Sequence, residues 1–198
     1  MTRYAEDGES QPKEAGSPRL ESELLESRRI IVGEEVSDIL YRKVATQLSI
    51  LERKDSSKPI TVLVNSPGGA ADVGFAIFDL FRFSTAPIRT VANGLVASAA
   101  VLIFLGAPQG KRFALPNSRF LLHQPSTVTR GQSTDIDIAA RQIVALKRRY
   151  NQIVAEATGK PFAKVENDSD RDFWLTSLEA KEYGLVNRVV EKQSELEG

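Results

Sequence analysis

The sequence predicts an α/β fold made of repeated β-β-α units around one core. Short apolar, β-branched runs, such as residues 60–64, have the pattern of strands covered on both faces. Several of these runs pass through a turn into stretches whose apolar residues recur every three or four positions, as they do in amphipathic helices. The 198 residues are enough for one domain with a substantial core. We therefore expect a single domain over residues 24–192, between tails at 1–23 and 193–198.

The composition excludes several classes of function. The formal net charge is zero, so nothing indicates binding to nucleic acid or to an anionic membrane surface. The chain has no cysteine and one histidine, which excludes disulfides, thiolate nucleophiles and multi-histidine metal centres. No metal or organic cofactor is implied. The acidic N-terminus does not resemble a signal peptide, and the apolar stretch 95–105 is too short to span a bilayer, so we expect a cytoplasmic protein.

The first half of the chain contains alternating strand and helix signals. Residues 1–23 are polar and show no apolar period, which predicts a flexible tail. A short strand is expected at 30–32, and Ser37 is placed to cap a helix over 38–54. The strand 60–64 then ends in the turn Asn-Ser-Pro-Gly-Gly at 65–69, and a second helix continues to about residue 83.

The second half contains the longest predicted helix. We expect a strand at 88–92, a buried helix at 97–105, and a strand at 120–122 that ends at His123. The apolar period then predicts a helix over 134–158, which at 1.5 Å per residue is about 37 Å long and should protrude from the globule. Thr176 and Glu179 form a capping-box pattern before a short helix, and a last strand is expected at 185–190.

Ser98 and His123 are the candidate nucleophile and general base. Small residues surround Ser98 at the start of a buried helix, where free backbone N–H groups lie at the positive end of the helix dipole. His123 follows an apolar strand, a position at which side chains converge on a site. Each residue also has an ordinary interpretation: serine is a common helix N-cap, and a lone histidine is more often structural.

Two further features would complete such a site. The glycines after the strand 60–64 expose backbone N–H groups, so the N–H of Gly69 and that of Ala99 could form a two-donor oxyanion hole, although Pro-Gly turns are also common without function. The acid that orients the histidine must come from the acidic segment 166–172. Spacing alone does not choose between Asp168, Asp170 and Asp172.

Seven segments of the chain together match the pattern of a known family in order and spacing: residues 65–69, 97–99, 110–119, 123–125, 131–136, 170–172 and 180–185. In these segments the chain resembles the Clp protease proteolytic subunit (ClpP) family. The resemblance covers roughly residues 24–190. It implies the ClpP/crotonase-like fold of that family, with the helix 134–158 as a protruding handle.

The resemblance also implies a function and its residues. It implies an ATP-independent serine endopeptidase whose triad is Ser98, His123 and Asp172, with Gly69 and Ala99 in the oxyanion hole. It further implies that Asp170 and Arg171 join two heptameric rings into a tetradecamer, which degrades unfolded polypeptides supplied by a separate AAA+ ATPase. The chain itself has no P-loop signature for ATP.

The chain departs from the family pattern at a few positions. Thr61 and Leu63 replace aromatic residues that usually line the docking groove for the ATPase, and Ala99 replaces a bulkier methionine. Residues 1–23 also show no recognisable counterpart of the family's N-terminal segment, which forms axial pore loops. The altered docking positions and this tail motivate an alternative, a regulatory or structural ClpP-like ring paralogue that assembles with an active subunit. A crotonase-type acyl-CoA enzyme on the same fold is a third hypothesis, disfavoured by the serine, histidine and aspartate set.

Overall fold

The computed structural model describes residues 18–125 and 129–197. The strands are β1 (Arg29–Val32), β2 (Ile60–Ser66), β3 (Ile88–Ala97), β4 (Arg112–Ala114), β5 (Arg119–Leu122), β6 (Phe173–Thr176) and β7 (Arg188–Val189). The helices are α1 (Pro18–Glu26), α2 (Asp38–Lys54), α3 (Ala71–Phe83), α4 (Ala99–Leu105), α5 (Ser133–Thr158), α6 (Phe162–Asp168) and α7 (Ser177–Tyr183). A 3₁₀ turn at Gln193–Glu197 follows β7. The α/β prediction is confirmed.

Strand β3 is the centre of a mostly parallel sheet. The main order is β1-β2-β3-β4-β7, with every pair parallel. The first part of β3 pairs with β4, whereas its last part, Leu95 to Ala97, pairs with β5. Strand β6 then adds antiparallel to β5. Because the parallel strands β2, β3 and β5 all end at the same edge, the residues that follow them converge there.

Helix α4 occupies the middle of the core. Every residue from Ala99 to Leu105 is buried, as the all-apolar sequence predicts. Helix α3 approaches it closely because Gly74 lies at the contact, where a Cβ would come within 2.9 Å of the carbonyl oxygen of Ala99. This packing fixes the start of α4 relative to the sheet.

Helix α5 confirms the prediction of a long, protruding helix. It ends at Gly159, which adopts the left-handed conformation (φ 71°) that glycine tolerates best. Its buried residues are Tyr150, Asn151, Val154 and Ala155, all in the C-terminal half. No residue from 133 to 149 is buried, so half of an amphipathic helix lies outside the core of this chain.

The predicted helix caps are present. The Ser37 side chain accepts a hydrogen bond from the backbone N–H of Leu40 (3.3 Å), and α2 begins at Asp38 as expected. At α7, the backbone N–H of Glu179 donates to the Thr176 hydroxyl (3.3 Å), while the Thr176 N–H donates to the Glu179 carboxylate (2.8 Å). This reciprocal pair is a complete capping box.

Several predicted bounds of strands and helices were wrong. Strand β2 extends to Ser66 and not to residue 64, and β3 extends to Ala97 and not to residue 92. The helix expected over 97–105 begins at Ala99, because β3 continues to Ala97 through its pairing with β5. The strand expected over 185–190 is limited to Arg188–Val189, because the N–H groups of residues 185 and 186 donate to the Ala180 carbonyl at the end of α7. Helix α1 begins at Pro18, within the tail predicted over 1–23, and residues 1–17 lie outside the described residues.

Three short elements have no periodic signal in the sequence. Strands β4 and β6 have three and four residues, and helix α6 has seven. Segments this short contain too few positions for a period to be recognised. In the two described ranges, no helix is long and apolar enough to cross a bilayer.

Candidate active site

Ser98 lies at a sharp turn between β3 and α4. Its backbone has φ 55° and ψ −124°, a conformation that costs energy for any residue with a side chain. The N–H of Ser98 donates to the carbonyl of Leu121 on β5 (2.9 Å), which holds the turn to the sheet. The hydroxyl makes no capping hydrogen bond to α4. The interpretation of Ser98 as an ordinary N-cap is therefore wrong, and its hydroxyl is available for another role.

The glycine turn after β2 packs directly against this serine. Gly68 has φ 92°, and a Cβ there would lie 2.6 Å from the Ala97 carbonyl oxygen and 2.7 Å from the Cβ of Ser98. Only glycine allows the turn to come this close. Ser66 anchors the turn: its buried hydroxyl donates to the Glu34 carbonyl (2.6 Å) and accepts from the Gly68 N–H (3.2 Å).

The backbone N–H groups of Gly69 and Ala99, which are the predicted donors of an oxyanion hole, lie on either side of the contact between Gly68 and Ser98. Val36 forms a bridge to the glycine turn: its N–H donates to the Gly68 carbonyl, and its carbonyl accepts from the Ala70 N–H, both at 2.8 Å. Within the described chain, these bonds leave the N–H of Gly69 without an acceptor. The N–H of Ala99 is equally unpaired because it begins α4. Both donors are therefore available to an incoming group.

The pairing of β5 with β6 brings His123 to Asp172. In this antiparallel ladder Leu122 lies opposite Phe173, so the residues that flank this pair, His123 and Asp172, meet across the end of the ladder. The Nδ1 atom of His123 lies 3.2 Å from Oδ1 of Asp172. The histidine side chain is 33% exposed and the aspartate 63%, so solvent reaches the pair.

The other two candidate aspartates contact different groups. Asp168 accepts hydrogen bonds from Lys164 (2.6 Å) and from the Tyr183 hydroxyl (2.8 Å). Asp170 pairs with Lys147 on α5 (3.2 Å). Of the three, only Asp172 contacts His123. Arg171 is exposed and makes no ion pair within the described ranges.

Ser98 and His123 line the same small cavity, of about 10 Å³. Its other walls are Ala71, Phe75, Ala99, Leu102, Pro125, Leu146 and Tyr150. No hydrogen bond joins the Ser98 and His123 side chains in the described part of the chain. The structure therefore brings the three predicted residues to one place and joins two of them directly.

Two residues of this region are not singled out by the sequence. The apolar period places Tyr150 only as a buried residue of α5, and Ser66 is only part of a turn. No local signal distinguishes Ser66, because the bond that anchors the turn reaches Glu34, which is 32 positions away. A tyrosine on an otherwise aliphatic face is a signal for Tyr150, because a buried hydroxyl needs a partner.

Thr61 and Leu63 lie on a different surface from this site. Together with Arg89, Val91 and Leu196 they line a cavity of about 210 Å³ beside the 3₁₀ turn at the C-terminus. Arg89 donates to the Leu196 carbonyl (3.1 Å) and to the Thr61 hydroxyl (2.7 Å). Thr61 and Leu63, the two positions that depart from the family's docking groove, therefore lie beside the last described residues of the same chain.

A serine at a strained strand–helix turn, next to a histidine–carboxylate pair, is the arrangement of a serine hydrolase. Comparison with protein families matches residues 13–193 to the family described as Clp protease. The chain belongs to this family, whose proteolytic subunits are serine peptidases.

Individual relatives agree with this assignment. The chain is 45% identical over 172 residues to the ATP-dependent Clp protease proteolytic subunit 1 of Bacillus cereus, covering 87% of this chain and 89% of that one. It is 43% identical over 183 residues to subunit 2 of Treponema pallidum, covering 92% of each. The solved structure of a ClpP1 point mutant from Listeria monocytogenes superposes with a TM-score of 0.83 at 37% identity, covering 89% of this chain and 99% of that one.

Proposed function

We propose that the chain is an endopeptidase subunit that cleaves unfolded polypeptides through a Ser98, His123 and Asp172 triad. The observation that carries the proposal is the 3.2 Å contact between His123 and Asp172 beside the cavity that Ser98 lines. A carboxylate at Nδ1 holds that nitrogen protonated and leaves Nε2 as the base.

The proposed reaction proceeds through an acyl-enzyme. Nε2 of His123 takes the proton of Ser98 as its oxygen attacks the peptide carbonyl, and then gives that proton to the leaving amine. The N–H groups of Gly69 and Ala99 would hold the oxyanion, and losing one such donor costs about 2.7–4 kcal/mol of transition-state stabilisation. Water, activated by His123, then releases the acid product and restores Ser98.

The proposal includes a cytoplasmic, compartmentalised protease. Members of this family form rings and work with an ATPase. For this chain we propose two heptameric rings joined as a tetradecamer through α5, with an AAA+ unfoldase supplying substrate. Asp170 and Arg171 are the proposed contact between rings. Because Asp170 pairs with Lys147 in the single chain, it would have to exchange or share that partner on assembly.

A regulatory ring subunit is the second candidate. Two observations favour it: no hydrogen bond joins Ser98 to His123 within the described ranges, and Thr61 and Leu63 alter the proposed docking surface. Such a subunit would assemble with an active paralogue and modify access to the chamber.

Labelling with a fluorophosphonate probe tests both candidates. An activated serine should label in the wild-type protein, not in Ser98→Ala, and only weakly in His123→Ala. If a well-folded oligomer does not label, even when mixed with a co-purified paralogue or ATPase, the peptidase proposal is wrong and the regulatory one stands.

A further inference from the structure

Ser169 is a buried serine at the end of α6, and its N–H, carbonyl and hydroxyl groups all have partners. It is 0% exposed. Its N–H donates to the Val165 carbonyl (3.0 Å), and its carbonyl accepts from the N–H of Gln124 (2.9 Å). Its hydroxyl donates to Oδ1 of Asn151 on α5 (2.9 Å), whereas the alternative acceptor, the Glu166 carbonyl, is 3.5 Å away. Ser169 therefore joins α6 to α5 and to the chain that follows β5.

The segment 169–173 contains Asp172 and is attached to the chain of β5 on either side of His123. At its start, the carbonyl of Ser169 accepts from the N–H of the residue that follows His123. At its end, Phe173 pairs with the residue that precedes His123. The side chain of Asp172 is 63% exposed, so packing around it does not determine where its carboxylate lies. The attachments at the two ends of the segment determine that position.

Helix α5 contacts this segment in two ways. Lys147 pairs with the carboxylate of Asp170 (3.2 Å), but the Asp170 side chain is 55% exposed, and exposed pairs are weak and screened by salt. Asn151 bonds Ser169 in the core, where both side chains are fully buried. The Asn151 bond also involves neither residue of the proposed contact between rings. It is therefore the contact with α5 that can stay constant when the rings join.

Asn151 is not the residue that stability alone would favour at this buried position. Its Nδ2 atom is buried and has no acceptor within the described chain, which carries a desolvation cost. An aliphatic side chain of similar shape, facing an alanine at position 169, would avoid that cost. The bond between Asn151 and Ser169 supplies direction instead, because it fixes one hydroxyl at one oxygen, whereas apolar contacts are not directional.

We propose that Asn151 and Ser169 are positioning residues that hold Asp172 at Nδ1 of His123. The inference rests on the proposed peptidase function. In the described chain neither residue bonds a member of the triad, so both act through the segment that contains Asp172. Without their bond the start of this segment can shift, and a misplacement of about 1 Å can cost about 100-fold in rate.

Ser169→Ala tests the proposal, with Ser177→Ala as its matched control. The first variant removes the hydroxyl, so we expect kcat of the assembled protein toward a fluorogenic peptide to fall by about 10- to 100-fold with KM unchanged. Ser177 lies at the other end of the ladder of β5 and β6. It is also buried (2% exposed), and its hydroxyl donates to the Pro116 carbonyl (2.7 Å). Ser177→Ala should lose comparable stability and keep its kcat.

A double variant separates position from stability. Ser169→Ala leaves the Asn151 side chain without a partner in the described chain, so the unfolding temperature should fall. Adding Asn151→Leu removes the other polar partner as well and should bring the unfolding temperature back toward that of the wild type. If the bond positions Asp172, kcat stays low in the double variant although stability returns. Recovery of kcat together with stability would overturn the proposal, because packing alone would then hold the segment.

The tautomer of His123 is a second readout, and a loss of stability alone would not change it. His123 is the only histidine of the chain, so nitrogen NMR of untagged, sedimented particles with isotope-labelled histidine reports on this ring alone. An aligned Asp172 holds the proton on Nδ1 when the ring is neutral. Wild type and Ser177→Ala should show this form, and Ser169→Ala and the double variant should show the proton partly on Nε2. The same tautomer in all four proteins would overturn the proposal.

The results also separate this inference from the function on which it rests. If the wild type cuts the peptide and Ser169→Ala has the same kcat, the positioning role is overturned while the peptidase stands. An equal loss of kcat in Ser177→Ala overturns it as well, because any weakening of the fold would then have the same effect. If Ser169→Ala does not assemble, the kcat and the tautomer of the double variant decide. If the wild type neither cuts the peptide nor labels at Ser98 with the fluorophosphonate probe, the peptidase function fails and this inference fails with it.

Discussion

The strained backbone of Ser98 is held by contacts that lie far apart in the sequence. A non-glycine residue at φ 55° and ψ −124° persists only where its surroundings fix it. Here the Leu121 carbonyl accepts from the Ser98 N–H on one side, and Gly68 packs on the other. The turn lifts the serine out of both the strand and the helix, which leaves its hydroxyl free of their hydrogen bonds.

The contact between Gly68 and Ser98 predicts that Gly68→Ala inactivates the protein. The added Cβ would meet the Ala97 carbonyl oxygen at 2.6 Å and the Ser98 Cβ at 2.7 Å, so the turn at Ser98 must move. The steric overlap and the positive φ that alanine would have to adopt should together cost at least about 2 kcal/mol of unfolding free energy. Peptidase activity and urea unfolding measure the two effects.

Gly110→Ala is the matched control for that substitution. Gly110 also has a positive φ (87°), but nothing lies within 4 Å of its Cβ position. The Gly110→Ala variant should lose only about 1–2 kcal/mol of unfolding free energy, because its backbone is strained, and it should keep its activity. Equal activity in the two variants would show that the packing of Gly68 does not position Ser98.

The proposed role of Asp172 predicts a loss of rate without a loss of fold in Asp172→Asn. The amide can no longer hold Nδ1 of His123 protonated, and a change of this kind lowers kcat by about 10⁴-fold in a serine protease triad. Because Asp172 is largely exposed, the unfolding free energy should change by no more than about 0.5 kcal/mol. Steady-state peptide hydrolysis and thermal unfolding are the measurements.

Asp168→Asn should show the opposite pattern. Asp168 bonds Lys164 and Tyr183, and it does not contact His123. We expect lower stability and near-normal peptide hydrolysis in the assembled protein. If Asp168→Asn is the slower enzyme of the two, the acid of the triad has been assigned wrongly.

At the scale of elements, Glu52 ties helix α2 to the loop between α3 and β3. Its carboxylate accepts hydrogen bonds from the Ser84 hydroxyl (2.7 Å) and from the backbone N–H of Thr85 (2.8 Å). Partial burial by itself raises the pKa of Glu52, but the hydrogen bonds outweigh it and the pKa lies below its ordinary value of 4.5. The charged form is thus preferred in the folded state.

This depressed pKa predicts a stability that falls with acid. Since the unfolded chain binds the proton more tightly, the contribution is complete above pH 4.5 and is lost as the pH falls through the lower, folded-state pKa. In Glu52→Gln the oxygen still accepts hydrogen bonds but does not titrate, so urea unfolding free energy should fall less steeply as the solution is acidified through this range than in the wild type. Glu166→Gln, which neutralises an exposed carboxylate, should retain the wild-type slope, and identical slopes in all three proteins would contradict the prediction.

The elements differ in how far the sequence could predict them. Helices α2 and α5 were predicted to within one residue, because their caps at Ser37 and Gly159 and their apolar period are local signals. The last part of β3 was not predicted, because its strand conformation depends on pairing with β5, more than twenty positions away. Short strands without a period of their own, such as β4, depend on such distant partners in the same way.

The candidate site, like the elements, has local features that the sequence predicts and tertiary features that it does not. The residue types and their segments are predictable from the sequence, because a serine among small residues and a histidine after a strand are local features. The choice among Asp168, Asp170 and Asp172 is not predictable from spacing, because it depends on the register of β6 against β5. The hydrogen bond between Ser169 and Asn151 likewise becomes visible only once the end of α6 is packed against α5.

At the scale of the whole molecule, the sheet and helix α5 have different roles. The sheet gathers the ends of β2, β3 and β5 at one edge, where the candidate site lies. The C-terminal half of α5 closes that site with Tyr150, while its other half leaves the core. Helix α5 therefore connects the cavity beside Ser98 to a surface that residues 18–125 and 129–197 leave uncovered.

That uncovered surface predicts that Ile136→Glu prevents two rings from joining. Ile136 is 42% exposed, yet it lies on the same helical face as the core residues Tyr150 and Val154, so its apolar side chain continues the packing face beyond the globule. A carboxylate there should oppose burial against a second copy of α5, and sedimentation velocity should show single rings in place of the larger particle. Ala145→Glu adds the same charge to the opposite, exposed face and should leave assembly unchanged. A tetradecamer in both variants would contradict the proposed handle contact, whereas loss of assembly in Ala145→Glu alone would place the contact on the other face of the helix.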